Sequence, residues 1–225
     1  MGHRRPLLLC LVVLLSIPAA ALGQAFPPPE EAAKLSKGEP PREVGPILAV
    51  GLGWGGGTTL DPGKGTDYMS MFKAGKRIHG LAGLRIQSFG MAGIYHTGTP
   101  GVANKACPGG GCTGSGKQVG GLLMMVVGAG VPGPVFDIGI GYWTDRTEIT
   151  RNGVVLQRLD GWALFEYASF EVPVGRPTSP FRLGGYFILA MTSYDKVTTP
   201  AGVASVPVTA GTPIWGELGL RASFF

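Results

Sequence analysis

Two cysteines, two histidines and a few carboxylates carry most of the chemistry this chain could offer, and their spacing decides what it could be. Cys107 and Cys112 bracket Pro-Gly-Gly-Gly. Two thiols joined by so short and glycine-rich a link can close a small ring in an oxidising compartment, so a Cys107–Cys112 disulfide is expected. A redox pair would normally be spaced CxxC, and a metal site would want further Cys or His in the same loop. Residues 111–117, GCTGSGK, match the glycine and lysine spacing of a phosphate-binding loop. Gln118 stands where that motif needs a Ser or Thr, and an apolar strand follows where it needs a helix, so nucleotide binding is not expected. No metal or cofactor is expected.

His79 and His96 are the histidines beyond the leader. The positions two beyond them hold Leu81 and Gly98, which are not nucleophiles, and Thr97 would point to the opposite strand face from His96. Both histidines are expected to be satisfied or interfacial. Glu166 and Glu171 fall on opposite faces of a strand, so a paired-carboxylate site has no local support.

The elements around these residues begin with a leader. His3, Arg4 and Arg5 precede an apolar run over 7–15, followed by small residues at Ala19, Ala20, Ala21 and Gly23. That order reads as a secretory signal peptide over 1–25, cleaved after Gly23 or Ala25 following Sec-type export. The run is shorter than the roughly 20 residues a spanning helix needs. Leu9 before Cys10 argues against a lipoprotein. Losing Arg4 and Arg5 lowers the formal charge from +5 to 5 − 2 = +3, too weak a bias to imply nucleic acid.

Of the 225 residues 44% are hydrophobic, only 15% are charged and 39 are Gly, and no later segment approaches 18 continuous apolar residues. Short apolar segments punctuated by Gly and Pro point to an all-β protein. Residues 26–44, FPPPEEAAKLSKGEPPREV, have little to bury and are expected to form a disordered, Pro-rich periplasmic arm. The remaining 45–225 divide into strands at 46–56, two within 79–98 turning near 88–90, then 119–131, 135–144, 159–172, 181–192 and 213–225. On the first, Leu48, Val50, Leu52 and Trp54 share one face. On the seventh, Phe181, Leu183, Gly185, Phe187, Leu189 and Met191 oppose Arg182, Gly184, Tyr186 and Ile188. Polar excursions at 58–76, 99–118, 145–158 and 193–212 alternate with short turns at 132–134 and 173–180. Within the first excursion, 67–75 could form a short helix capped by Asp67, a lid over the mouth or an adhesive tip.

The last strand, PIWGELGLRASFF, places Ile214, Leu218, Leu220, Ala222 and Phe224 on one side and Trp215, Glu217, Gly219, Arg221 and Ser223 on the other. With the leader and the terminal Phe224-Phe225, it resembles the closing strand of bacterial outer-membrane β-barrels, whose terminal aromatic is read by the insertion machinery. Phe224 keeps the apolar phase and Phe225 is one residue out. The resemblance extends to the OmpA-type transmembrane domain and small porin-like barrels. It implies an eight-stranded antiparallel up-and-down transmembrane barrel in the outer membrane, with short periplasmic turns and long external loops.

Alternation places Arg85, Asp137, Glu166, Arg182, Glu217 and Arg221 on inward faces, where buried charges must pair. Lys64, Lys73, Lys76, Arg77, Lys105, Lys117, Arg146, Arg151, Arg158 and Lys196 are expected in external loops or at their edges. Lys73, Lys76 and Arg77 form a basic patch suited to the phosphates of lipopolysaccharide. The expected role is structural or surface-interacting and non-enzymatic, in a monomer whose partners are membrane lipid and the insertion machinery. A narrow conduit or carrier for a small apolar molecule is the alternative, motivated by Ala49, Gly51, Gly53, Gly139, Gly141, Gly184 and Ile188 on inward faces. Outer-membrane lipid A acyl-hydrolases are similar in size and fold, but the nucleophile they place two residues from a His is missing.

Overall fold

The computed structural model describes residues 44–60, 67, 69–128, 132–205 and 212–224. The leader, the arm up to residue 43, Lys64 and Phe225 lie outside the described residues. The strands are β1 (Val44–Leu60), β2 (Phe72–Ile86), β3 (Phe89–Val102), β4 (Cys112–Val127), β5 (Val135–Arg151), β6 (Val154–Pro173), β7 (Phe181–Thr199), β8 (Gly202–Ser205) and β9 (Thr212–Phe224). Val44, expected in the arm, is the first residue of β1.

Each strand pairs antiparallel with the next from β1 to β7, and β9 pairs with both β7 and β1. Eight strands therefore close a ring, which leaves no unpaired sheet edge along the barrel wall. The expected eight-stranded up-and-down barrel is the observed fold, with the short β8 added. β8 pairs with Lys196 to Thr199 of β7, beyond the point where β9 has left that strand at Met191.

Partners followed round the ring run Leu48, Ala82, Gly93, Gly121, Tyr142, Leu164, Met191, Ile214 and back to Thr58 on β1. The row returns 58 − 48 = 10 residues higher, a shear of 10. Such stagger tilts the strands, and in a ring of this size it leaves an interior that side chains can fill.

The eight strands of the ring run 13 to 20 residues, and all but β9 are longer than expected. Much of each expected excursion is strand. The clearest case is 145–158, where Asp145, Thr147 and Ile149 are buried while Arg146, Glu148 and Thr150 face the other way. Here β5 and β6 meet in a two-residue turn, Asn152-Gly153, with φ of 50° and 78°. Asn-Gly suits this left-handed hairpin turn. The turn expected near 88–90 falls at Gln87-Ser88, because Ile86 pairs with Phe89. The expected strand over 119–131 starts earlier and ends at Val127.

The expected helix over 67–75 is a single 3-10 turn, Met69–Met71, because Phe72 and Lys73 are already paired with Val102 and Gly101. Asp67 does cap it: its Oδ1 accepts from the Ser70 amide at 3.1 Å and from the Thr59 hydroxyl at 2.5 Å. The Cys107–Cys112 disulfide is formed, with Cα atoms 6.1 Å apart. It ties the β3–β4 connection to the first residue of β4.

Candidate functional site

The barrel inverts ordinary burial. Outward positions carry large apolar side chains, among them Val50, Leu84, Phe89, Met91, Leu164 and Leu220, the last 76% exposed. Inward positions carry the buried charges: Arg77, Arg85, Arg182 and Arg221 against Asp137, Asp145, Glu171 and Glu217. These four cations and four anions balance one another. Buried charge is tolerated only where it is paired and hydrogen-bonded, and two networks across the lumen do this for Asp137, Asp145, Glu171, Glu217 and Arg221.

The first network centres on Arg221 of β9. Its Nη1 donates to Asp137 Oδ2 at 2.7 Å, to Tyr167 Oη at 2.7 Å and to Ser169 Oγ at 2.6 Å. Its Nε lies 2.9 Å from Glu171 Oε1, and Ser223 donates to Glu171 Oε2 at 2.5 Å. Nearer the short-turn end, Arg85 and Arg182 donate to the carbonyls of Gln87 at 2.9 Å and Gly133 at 2.5 Å.

The second network centres on His96 of β3. Its Nε2 is 2.7 Å from Glu217 Oε2 and its Nδ1 is 2.7 Å from Gln118 Oε1. Gln118 donates in turn to Asp145 at 3.0 Å, as does Thr147, and Tyr186 donates to Glu217. An aromatic slab packs on this chain. Trp143 stacks on Phe165 with centroids 4.0 Å apart and lies 5.5 Å from both His96 and Trp215. The Arg77 guanidinium sits 5.2 Å from the Trp215 ring centre.

Between the networks lies His79, fully buried, with its ring edge-on to Tyr186 at 4.3 Å. Neither ring nitrogen has a hydrogen-bond partner among the described residues. Its place exists because Gly51 faces it: a Cβ there would lie 2.2 Å from His79 Cε1. Gly53 likewise yields to Tyr186 and Gly141 to Phe165. At these three inward glycines the space is already taken by a neighbour's large side chain, whereas at Gly139 and Gly184 a Cβ would first meet the backbone carbonyls of Leu123 and Phe170.

Asp137, Glu217 and Arg221 lie at the heart of the networks, and Arg85 and Arg182 at their short-turn end. Glu166 requires a correction. Ala163, Phe165, Tyr167, Ser169 and Glu171 are the buried set on β6, so Glu166 is one residue out of phase and faces outward. Glu171 takes the inward place assigned to it. Arg77 also requires correction: two positions from His79 on β2, it shares the inward phase and is buried, outside any external patch. Lys73 and Lys76 are exposed, on the strand itself rather than in a loop. His79 and His96 are interior register partners rather than interfacial. Phe224 is outward and pairs with Leu48 and Phe181. Glu171, His96, Gln118 and Asp145 were missed as network members; the signal was their shared phase with buried aromatic or aliphatic neighbours.

Among solved structures, the crystal structure of Neisserial surface protein A (NspA) is similar, with a TM-score of 0.55 and 11% identity. The match covers 80% of this chain and 97% of that one. The fold is that of a small outer-membrane β-barrel. No family model matches the chain, and no curated protein matches it. At this identity the likeness to NspA speaks for architecture.

Proposed function

We propose that this protein is an integral outer-membrane barrel with a sealed lumen and a structural or surface-interacting, non-enzymatic role, kin to the small OmpA-type barrels. The observation that carries the proposal is the inversion of burial: the eight buried Asp, Glu and Arg residues point inward while Leu, Val, Ile, Phe and Met cover the outside. Lipid is the solvent that makes such an exterior favourable. The outer membrane is the membrane that holds barrels of this kind.

The side chains that cross the lumen separate this reading from a conduit. The aromatic slab of Trp143, Phe165 and Trp215 and the Arg221 network occupy the interior that an apolar cargo would need. His96, the better placed of the two histidines for acid–base work, has both nitrogens engaged by Gln118 and Glu217.

The test is to express the full chain, isolate the outer-membrane fraction and run it with and without boiling, then reconstitute the barrel in a planar bilayer. A heat-modifiable band with no steady conductance is expected. Recovery as a soluble periplasmic protein would overturn the membrane reading, and a stable open conductance would overturn the sealed lumen.

A further inference from the structure

On the outward face of β2, β3 and β4 the apolar belt is interrupted by small residues. Gly80 and Ala82 on β2, Gly93 on β3 and Gly121 on β4 are neighbours, since Ala82 pairs with Gly93 and Gly93 with Gly121. Leu48, Val50, Tyr95 and Val119 rim Gly80, Ala82 and Gly93 in an open, shallow groove that reaches the β4 backbone at Gly120, next to Gly121. Unlike the inward glycines, these three are not demanded by packing. A Cβ at Gly80, Gly93 or Gly121 would meet nothing closer than 3.8 Å.

Two cations stand above the groove. Lys117 is four residues up β4 from Gly121 and Lys76 four residues up β2 from Gly80, both outward and exposed. Four strand residues span roughly 13 Å. Thr97 of β3 pairs with Lys117, and its neighbour two residues on, Thr99, pairs with Lys76, so the lysines flank one strand. Neither lysine forms an ion pair among the described residues, whereas Arg146, the register partner of Lys117, is held by Asp160 at 2.8 Å.

We infer that Lys76, Lys117 and the glycine groove form a binding site for one molecule of lipopolysaccharide, its lipid A phosphate between the lysines and one acyl chain laid over Gly80, Gly93 and Gly121. Charge above and an apolar trough below match a phosphorylated, acylated lipid. The inference rests on the outer-membrane reading. It also relocates the lipopolysaccharide contact from a loop patch to the barrel wall, where Lys76 takes part and the buried Arg77 does not.

The test uses the full mature barrel folded in phosphatidylcholine nanodiscs doped with lipid A or with its dephosphorylated form, the co-purified lipid being counted by mass spectrometry. Heat modifiability in phosphatidylcholine alone first establishes the barrel, so failure there sinks the membrane reading and is separate from failure to bind. Wild type is expected to retain lipid A over the dephosphorylated form. Lys76→Gln with Lys117→Gln should lower that retention about ten- to thirty-fold, at about a fivefold loss per charge near the surface. Gly93→Leu, which fills the trough without an internal clash, should lower retention of both forms. Equal retention by the lysine double variant, or by Gly93→Leu, overturns the site. So does a barrel that sediments as a dimer which Gly93→Leu dissociates, because the groove would then belong to a second copy.

Discussion

Arg221 reaches across the lumen to Asp137, Nη1 to Oδ2 at 2.7 Å with both side chains fully buried, from β9 to a strand three places away round the ring. Glu171 closes the cluster at 2.9 Å from Nε. Replacing the cation leaves two carboxylates without it in a low-dielectric interior. Arg221→Met is therefore expected to cost about 3–5 kcal/mol, read by guanidinium unfolding of the barrel in lipid vesicles. Adding Asp137→Asn and Glu171→Gln should return a large part of that loss, since the stranded charges go with it. A triple variant no better than Arg221→Met would speak against the cluster as drawn.

Gly51 and His79 form a second dependent pair, joined by shape rather than charge. A methyl at Gly51 would overlap the imidazole, so Gly51→Ala should destabilise the barrel by about 1–3 kcal/mol through overpacking, with the geometry as its cause. His79→Ala in the same chain opens that volume and should suppress the defect. Additive losses in the double variant, measured by the same unfolding titration, would show that the two residues do not meet.

These pairs mark where the sequence was legible and where it was not. β7 and β9 alternate an apolar outward face against an inward face that carries Arg182, Glu217 and Arg221, and the phase read from them is the phase observed. β6 carries aromatics on both faces, Phe165 and Tyr167 inside with Trp162 and Phe170 outside. Apolar periodicity therefore could not orient it, and Glu166 and Glu171 exchanged roles. The upper strand ends were unread for a different reason. Above the belt both faces of the wall are polar, so Asp145 to Thr150 look like loop by composition although they alternate faithfully. The Asn152-Gly153 turn signal was the better guide. Partners across the lumen, such as Arg221 with Asp137 84 positions away, depend on the closed ring and its shear, which no local pattern encodes.

Asp67, in the connection before β2, gives a pH dependence. Burial pushes its carboxyl up, but hydrogen bonds from Thr59 and Ser70 and the charge of Lys105 outweigh this and hold it below its ordinary value of 3.8. A group depressed in the folded state contributes order that is present above its unfolded pKa and lost as pH falls through the folded one. The Met69–Met71 turn should thus stay protected from amide exchange at pH 5 to 7 and lose protection below about pH 4. Asp67→Ala should remove protection throughout and leave no step below pH 4. A protection step that survives in that variant would assign the titration to another group.

Glu166 supplies the sharpest check on both the register of β6 and the solvent outside the barrel. It faces outward between Ile140 and Leu189, its register partners, with Leu164 above and Ala168 and Phe170 below. In hydrocarbon such a carboxylate is unfavourable, by less than the roughly 2–4 kcal/mol of a Lys or Arg at the same depth. Glu166→Leu should stabilise the barrel in lipid vesicles by about 1–2 kcal/mol. Glu171→Leu, five residues along the same strand, removes the anion beside Arg221 and should destabilise it by about 3–5 kcal/mol. Opposite signs for two glutamates on one strand follow only if β6 is set in this register and its outer face meets lipid. Were the outer face in water, Glu166→Leu would bring no gain; were the register shifted by one residue, the two signs would exchange.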